Sequence, residues 1–354
     1  MKTILFILPD LNQGGAERVI TTLCNELDRT KFCPKLVLFK MEGYYLNHLK
    51  KDVEIIELNV ERIRYSIFKI VPLINKLQPN IVFTGWGEIS AFLSPLIPLF
   101  KKTKFITRET NVVSQHVTRK EILFFYRFYN NFHQIIAQSD DMKNDLVKNF
   151  RISENRIVKI NNPVDFDLIN QMKSQKINLG FDKGYKNIVV IGNLSPRKGF
   201  DLLLKVMNEL KEEKIKLTIL GDGAFKDELL QQKNELKLDN VTFQGNVANP
   251  FVYLNAADLF ILSSRYEGFP NVLLEAGACG MYSLANNCPG GINEIIQENI
   301  NGEIYPIEDT EGFAEKIKSI LDKEHSSDKI INSIHSRFSK DIIIKQYETI
   351  FENI

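Results

Sequence analysis

Two glutamates in the second half of the chain, Glu267 and Glu275, have the residue type and spacing of a site for a ligand that carries many hydroxyl groups. The apolar run 257–263 predicts a buried parallel strand, and 271–278 predicts the first turns of a helix. Open α/β sheets bind their ligands at the carboxyl ends of the strands, so both carboxylates are expected at one crevice. Each carboxylate can accept two hydroxyl hydrogen bonds, which suits a sugar ring or a ribose.

A basic pair, Arg197 and Lys198, lies between a predicted strand at 187–191 and a predicted helix at 200–214. The free N–H groups and the dipole of a helix N-terminus stabilise anionic phosphate groups. A forked guanidinium beside a compact ammonium group matches the charged groups of a diphosphate. The pair therefore indicates the phosphate end of the same site, and a solvated basic pair on the surface is the alternative interpretation.

The segment 263–275, Ser-Ser-Arg-Tyr-Glu-Gly-Phe-Pro-Asn-Val-Leu-Leu-Glu, resembles the Glu-x7-Glu signature of the retaining family 4 glycosyltransferases of the GT-B fold. The resemblance implies that Glu267 lies by the donor sugar and that Glu275 holds the ribose hydroxyls of a nucleotide. It also places at the donor the residues between these two glutamates, namely Gly268, Phe269, Pro270 and Asn271. The alternative is a solvated loop glutamate followed by a glutamate on a surface helix.

The resemblance is dense from about residue 187 to residue 306. In the family an Arg and a Lys bind the donor diphosphate and stabilise it as it leaves, which implies catalytic roles for Arg197 and Lys198. Asn193 stands where the family usually has that Arg, so Arg197 is the expected substitute. Further donor contacts are implied at the Asn193 turn and at two glycines, Gly245 and Gly290.

The chain has 354 residues, more than the ~250–300 at which one hydrophobic core stops growing, so two domains are expected. Seven strands are predicted in the first half and five in the second, alternating with helices, which indicates parallel sheets covered on both faces. We expect two doubly wound Rossmann-like domains, 1–170 and 171–339, with the hinge in the polar stretch 171–186. The resemblance adds that they face a central cleft and that a final helix, 340–354, packs back on the first domain.

Candidates in the first half also follow predicted strands. Paired glycines at 14–15 let a backbone approach a ligand closely, and Glu17 lies in the first turn of the next helix. In the family this loop faces the donor phosphates and the reacting sugar, which implies such roles for Gly15 and Glu17; a tight turn with a capped helix is the alternative. Where relatives often carry a His at the donor sugar, this chain offers candidates for the acceptor or sugar side, namely Arg108, Glu109, Asn111 and His116.

The charge pattern bears on the partners. Residues 1–170 carry 24 Lys and Arg against 18 Asp and Glu, although the whole chain has a net charge of only +1. This bias is compatible with an anionic or membrane-associated acceptor, and it is too weak to indicate nucleic acid. The segment 119–129 interleaves bases with aromatic residues, so it is either part of the core or a contact with an anionic membrane surface.

No cofactor and no metal ion are expected. The four cysteines form no Cys-x-x-Cys pair, and no His has zinc-ligand spacing to them. Asp165-Phe166-Asp167 matches the Asp-x-Asp metal motif of other glycosyltransferases, but it follows Asn-Pro in a turn, where Asp favours backbone capping.

Membrane-spanning and secretory segments are not expected either. The apolar stretch 89–100 is shorter than the ~20 residues that span a bilayer, and the N-terminal apolar run is too short for a signal peptide. A cytoplasmic location is therefore expected, with peripheral attachment to the inner face of the cytoplasmic membrane if 119–129 contacts lipid.

The sequence thus predicts a metal-independent, retaining hexosyl- or N-acetylhexosaminyltransferase. The resemblance implies a nucleotide-sugar donor, which we expect to be UDP-linked. It also implies a lipid-linked glycan as the acceptor, in the synthesis of a bacterial surface polysaccharide. A GT-B nucleotide-sugar 2-epimerase and a non-catalytic nucleotide-sugar-binding protein are the alternatives. The epimerase would need His and carboxylate groups that these motifs do not supply, and the intact Glu267, Glu275, Arg197 and Lys198 argue against a decayed site.

Overall fold

Short runs of Ile, Val, Leu and Phe form parallel strands in this chain because helices cover both faces of each sheet. The computed structural model describes residues 1–12, 14–182 and 184–354, which form two units. One unit comprises residues 1–163 with 341–354, and the other comprises residues 164–340. All strand pairings in the two sheets are parallel, so the predicted fold class of two doubly wound, Rossmann-like units is confirmed.

The first unit is built on seven strands: β1 (Lys2–Leu8), β2 (Phe32–Leu38), β3 (Glu54–Glu57), β4 (Ile81–Thr84), β5 (Lys104–Arg108), β6 (Gln134–Ala137) and β7 (Ile157–Lys159). Their order across the sheet is β3-β2-β1-β4-β5-β6-β7. The helices between them are α1 (Gly15–Glu26), α2 (Ile63–Leu77), α3 (Gly87–Leu93), α4 (Val113–His116), α5 (Lys120–Phe125) and α6 (Asp140–Phe150).

The side chains of β1 point alternately to the two faces of the sheet, so this unit has two hydrophobic cores, one on each face. Leu5 and Ile7 point to the face that α2 and α3 cover, where they share a core with Ile70. Phe6 points to the opposite face, where it shares a core with Val19 of α1. The carboxyl ends of the strands are thereby held in register, and the loops that follow them start from a rigid edge.

The second unit begins with α7 (Phe166–Lys173) and contains six strands: β8 (Lys186–Ile191), β9 (Ile215–Leu220), β10 (Val241–Gly245), β11 (Leu259–Leu262), β12 (Ser283–Asn286) and β13 (Gly302–Tyr305). Their order across the sheet is β10-β9-β8-β11-β12-β13. The helices are α8 (Phe200–Glu209), α9 (Lys226–Leu236), α10 (Phe251–Ala256), α11 (Asn271–Ala278), α12 (Ile292–Ile295), α13 (Thr310–Leu321) and α14 (Ser327–Phe338).

The last helix, α15 (Lys340–Asn353), belongs to the first unit from residue 341 onward. The ring of Phe351 lies 6.4 Å from that of Phe6, and Lys2 Nζ donates to the Phe351 carbonyl at 2.9 Å. The apolar pattern of 340–354 predicts that Ile342 shares a helical face with Ile343, Tyr347, Ile350 and Phe351, but Ile342 is exposed and Ile344 is buried instead. The reason is the helical spacing: Ile344 lies three residues before Tyr347 and seven before Phe351, on their face, whereas Ile342 lies five residues before Tyr347.

Two features differ from the sequence-based expectation. The boundary predicted between residues 170 and 171 falls inside α7, whose Ile169 is buried with Val252 of α10, so the division lies before this helix. Strand β13 was not predicted, because its four residues include a Gly and a Glu and lack an apolar run. It pairs with β12 and completes the edge of the second sheet.

Candidate active site

Glu267 is the centre of a buried charge cluster in the second unit. Its carboxylate accepts hydrogen bonds from Lys198 Nζ at 2.6 Å, Arg197 Nη1 at 2.8 Å and Ser264 Oγ at 2.6 Å. Burial alone would raise the pKa of the Glu267 carboxyl, but the charges of Lys198 and Arg197 outweigh it and lower that pKa. The cluster therefore holds one carboxylate against two cations, which leaves an excess of positive charge.

Backbone contacts hold the two loops of this cluster together. The loop after β8 carries Arg197 and Lys198, and the loop after β11 carries Ser263 to Glu267. Ser263 Oγ donates to the Lys198 carbonyl at 2.8 Å, and the Arg265 N–H donates to the Arg197 carbonyl at 2.8 Å. The two loops meet because β8 and β11 are neighbours in the sheet, although the ion-paired residues are about seventy positions apart.

Gly290 is brought against the backbone of Glu267 by the loop after β12. The Glu267 N–H donates to the Pro289 carbonyl at 2.9 Å. Gly290 has a φ of +123°, and a Cβ there would overlap the Glu267 carbonyl, so a side chain cannot be accommodated without moving the loop. The loop after β12 is therefore in direct backbone contact with Glu267.

The other donor-side candidates of this unit occupy the same edge of the sheet. Asn193, which is exposed, follows β8, and Gly245 ends β10. The Gly221 N–H, after β9, donates to the Gly245 carbonyl at 2.8 Å, and the Gly192 N–H donates to the Leu220 carbonyl at 3.0 Å. The loops after β10, β9, β8, β11 and β12 therefore form one continuous row at the carboxyl ends of the strands.

Glu275 is buried at the fifth position of α11, so it lies at the start of the second turn. The donor-side candidates between Glu267 and Glu275 are Gly268, Phe269, Pro270 and Asn271. Phe269 packs edge-on against Phe338 with ring centroids 5.7 Å apart, and Pro270 is the extended residue before the helix. The packing against Phe338 gives Phe269 a structural role in addition to the donor role that the resemblance implies.

In the first unit, Gly15 begins α1, and Glu17 follows it on the same turn. The Glu17 side chain is buried and folds back over Gly14, where a Cβ would overlap its carboxylate. The pKa of the Glu17 carboxyl is raised, and burial is the main cause. A backbone hydrogen bond opposes this rise, and the charge of Asp10 adds to it. This placement at the third helical position is that of a capping residue.

Arg108 is the last residue of β5, Glu109 directly follows it, and both are buried. Arg108 Nη2 donates to Asn162 Oδ1 at 2.5 Å. Glu109 Oε2 accepts from the Tyr126 hydroxyl at 3.2 Å, whereas Glu109 Oε1 has no hydrogen-bond partner among the described residues. Both side chains lie in the interior of the unit, so a direct sugar contact stays a prediction for them.

Asn111 and His116 lie further along the same loop. Asn111 is half-buried, and its Nδ2 donates to Thr110 Oγ1 at 3.4 Å. His116 is exposed at the end of α4. They are therefore outside the buried layer that holds Glu109.

The pKa of the Glu109 carboxyl is raised to about 7. Burial is the largest cause; the hydroxyls of Tyr129 and Tyr126 and the charge of Arg108 oppose it, and the charge of Asp145 adds to it. The folded protein then binds more protons than the unfolded chain between about pH 4.5 and pH 7, so stability falls as the pH rises through this range. We expect the free energy of unfolding of wild type to fall by about 2–3 kcal/mol between pH 5 and pH 8 because of this group, and we expect Glu109→Gln to abolish that fall. Urea denaturation at both pH values measures it, with exposed Glu121→Gln as control. Parallel pH curves for wild type and Glu109→Gln would contradict the prediction.

Asp165 and Asp167 have structural partners. Asp165 Oδ1 accepts from the Leu168 N–H at 3.1 Å and caps α7, and Lys340 Nζ bonds Asp165 at 3.1 Å and Asp167 at 3.0 Å. Within residues 1–12, 14–182 and 184–354, no group of three or more His, Cys, Asp and Glu side chains is arranged to hold a metal ion. The four cysteines are free thiols.

Two family models match the chain and between them cover most of it. Residues 13–168 match the model of Glycosyltransferase Family 4, and residues 171–337 match that of Glycosyl transferases group 1.

The chain belongs to the family 4 glycosyltransferases.

Individual relatives of this family 4 chain match between two thirds of it and nearly all of it. An uncharacterized glycosyltransferase of Methanocaldococcus jannaschii is 29% identical over 66% of this chain and 62% of its own length. The N-acetylgalactosamine-N,N'-diacetylbacillosaminyl-diphospho-undecaprenol 4-alpha-N-acetylgalactosaminyltransferase of Campylobacter jejuni is 25% identical over 92% of this chain and 91% of its own. The structure of Anabaena HepE in complex with UDP-glucose has a TM-score of 0.85 at 19% identity over the full length of both chains, which shows the shared GT-B fold.

Two residues that support the Glu267 cluster were not among the functional candidates of the sequence analysis. Ser264 bonds the Glu267 carboxylate directly, and Asn286 Nδ2 donates to the Ser264 carbonyl at 3.0 Å. Asn286 also accepts the Ile307 N–H at 2.9 Å. A buried Asn at the end of an apolar strand was the available signal, but its partners are too distant in sequence to be inferred.

Proposed function

We propose that this chain is a retaining glycosyltransferase that moves a hexosyl or N-acetylhexosaminyl group from a UDP-linked donor to a lipid-linked glycan. The observation that carries the proposal is the Glu267 carboxylate held ionised by Lys198 and Arg197 at the carboxyl edge of a parallel sheet. The Campylobacter jejuni relative is named for transfer to a diphospho-undecaprenol glycan, and HepE was crystallised with UDP-glucose. These names support the chemical class of acceptor and donor.

The positive charge of the cluster suits departure of a nucleoside diphosphate. Bond cleavage at the anomeric carbon moves negative charge onto the leaving phosphate oxygen, and preorganised cations stabilise that charge as it forms. One carboxylate does not neutralise both Lys198 and Arg197, so a cation is available to the diphosphate. Glu267 in turn orients the donor sugar and stabilises the positive charge that develops on its ring.

Retention at the anomeric carbon is compatible with the residues on this edge. In the resembled mechanism the acceptor hydroxyl attacks from the face that the leaving group departs, and a donor phosphate oxygen accepts its proton. The chain then needs no dedicated base. Its own residues bind the diphosphate, orient the sugar and hold Glu267 in the ionised form.

Mass spectrometry of products tests the proposal. The purified protein is incubated with a panel of UDP-sugars and lipid-diphosphate-linked mono- and disaccharides, and the anomeric configuration of the product is determined by NMR. Transfer with the α-configuration retained from an α-linked donor is the expected result. A product with inverted configuration, or a UDP-sugar epimerised without transfer, would reject it.

Metal independence is part of the proposal, because Arg197 and Lys198 supply the positive charge that Mg²⁺ or Mn²⁺ supplies to the diphosphate in other enzymes. The same assay in EDTA is expected to keep its full rate. Loss of transfer in chelator, with recovery on adding either ion, would overturn this assignment.

Glu275→Ala should weaken binding of UDP, because two ribose hydroxyls would lose a charged acceptor whose hydrogen bonds are worth about 1.5–3 kcal/mol. The buried position of Glu275 in the second turn of α11 motivates the assignment. Calorimetry with UDP measures the change, and Glu235→Ala, an exposed glutamate on α9, is the matched control. An unchanged dissociation constant for Glu275→Ala would remove this residue from the donor site.

We further propose peripheral contact with an anionic membrane through the first unit. The structure divides the segment 119–129: Tyr126 and Tyr129 are buried, whereas Phe124 is 52% exposed with the Arg127 guanidinium 5.0 Å from its ring. On α2, Phe68 is 76% exposed. No helix within the described ranges is long and apolar enough to cross a bilayer, so the contact would be superficial.

Flotation with liposomes tests this contact. Binding to anionic vesicles should exceed binding to neutral ones and fall with salt, because each base near such a surface contributes about 1 kcal/mol that salt screens. Phe124→Ser with Phe68→Ser should reduce it further, and Tyr185→Ser, an exposed aromatic residue of the second unit with Lys216 over its ring, is the control. Equal partitioning to both lipids would contradict the proposal.

A further inference from the structure

Three aromatic rings form an exposed cluster on the first unit, in the connection after β2. The cluster consists of Tyr44, Tyr45 and His48, in a single 3-10 turn, Tyr44–His48. The ring of Tyr44 lies 4.5 Å from that of His48 at an angle of 33°, and 5.1 Å from that of Tyr45 at 85°. Tyr44 is 45% exposed and His48 is exposed, whereas Tyr45 is half-buried against the core on the α1 side.

The turn is anchored to the loop that follows β1. The Leu11 N–H donates to the Glu42 carbonyl at 2.9 Å, and the Tyr45 N–H donates to the Leu11 carbonyl at 3.0 Å. Gly43 has a φ of +120°, and a Cβ there would overlap the Leu11 backbone, so the two loops are in direct contact. The cluster therefore begins at the carboxyl edge of the sheet, where α/β proteins bind ligands.

The far end of the turn is anchored as well. Asn25 Nδ2, on α1, donates to the His48 carbonyl at 2.8 Å, and His48 Nδ1 lies 3.1 Å from the Tyr44 carbonyl. Fixing both ends restricts the rings before any ligand arrives, which lowers the entropy that binding must overcome. Packing accounts for Tyr45, but it does not account for the exposed, tilted pair of Tyr44 and His48.

We propose that Tyr44, Tyr45 and His48 form a carbohydrate-binding platform that holds the glycan part of the acceptor; this rests on the function proposed above. A pyranose has an apolar face of C–H groups and a rim of hydroxyls. Aromatic side chains with a polar tip bury such a face and bond the rim at the same time, at little cost in side-chain entropy. Phenol and imidazole groups differ in this respect from Phe124 and Phe68, which lack a polar tip.

Acceptor kinetics test the platform. Tyr44→Ala and the double variant Tyr44→Ala/His48→Ala are assayed with the lipid-diphosphate-linked saccharide that wild type uses best, and the Michaelis constants for acceptor and donor are measured separately. We expect the acceptor constant to rise about tenfold and the donor constant to stay unchanged. Tyr44→Trp should retain wild-type values, and Tyr65→Ala, a 51% exposed tyrosine on α2, is the matched control.

A second measurement separates the glycan from its lipid. The free saccharide should inhibit wild type and Tyr65→Ala by competition and should not inhibit Tyr44→Ala at the same concentration. An unchanged acceptor constant in Tyr44→Ala, or a rise confined to the donor constant, would overturn the platform. Saturation-transfer NMR with the free saccharide measures binding without turnover. Absence of sugar transfer would reject the proposed function, whereas a saccharide signal that is present with wild type and lost with Tyr44→Ala would still support the platform, and an equal signal with both would overturn it.

Discussion

Lys198→Ala should lower the turnover of sugar transfer by about 10²–10³-fold and leave the apparent Michaelis constant for the donor nearly unchanged. The charge on the leaving diphosphate is larger in the transition state than in the bound donor, so a cation that faces it contributes mainly to the barrier. Arg197→Ala should show the same pattern with a smaller loss, because Arg197 is more exposed than Lys198.

Steady-state kinetics with the donor varied at saturating acceptor measures this effect. Lys226→Ala is the matched control, since Lys226 forms a surface ion pair with Asp222 in the same unit. Wild-type turnover in both the Lys198 and the Arg197 variant would show that the leaving-group role is wrong. A rise in the Michaelis constant alone would move the two cations from the transition state to ground-state binding.

Glu267→Ala should destabilise the fold by about 3–5 kcal/mol, because the variant leaves the buried Lys198 ammonium without its counter-charge. It should also remove most activity. Glu267→Gln keeps the shape and loses only the charge, so we expect a smaller loss of stability with a similar loss of turnover. Urea denaturation and initial rates, measured on the same preparations, separate the two effects.

A buried glutamate that is ion-paired away from the cluster supplies the control for this experiment. Glu303 on β13 is buried, and its carboxylate lies 2.7 Å from Lys316 Nζ. Glu303→Gln should lower stability and leave turnover of the folded protein unchanged. If Glu267→Gln behaved like Glu303→Gln, the role of Glu267 would be structural and its assignment to the donor sugar would be wrong.

The residues themselves determined the class of fold and the place of the donor motif. Short apolar runs that alternate with helical patterns are typical of parallel strands covered on both faces. Because a ligand site forms where such strands end, the loops with Arg197 and Glu267 could be placed at the ligand-binding edge from the order of the elements, whereas the donor role of Gly290 came from the resemblance. The resemblance to family 4 enzymes rests on these loops and on the segment after Glu267, and the family matches confirm it.

The tertiary structure decided what each of these residues touches. Glu267 meets Lys198 because β11 lies next to β8 rather than next to β10, an order that local patterns do not specify. The same long-range pairing placed Ser264 and Asn286 behind the carboxylate. Burial of Glu109 under Tyr126 likewise depends on a turn seventeen residues away, and it places this candidate for the acceptor or sugar side in the interior, where its pKa is raised. Periodicity reports which face of an element is apolar; only packing decides which partner covers it.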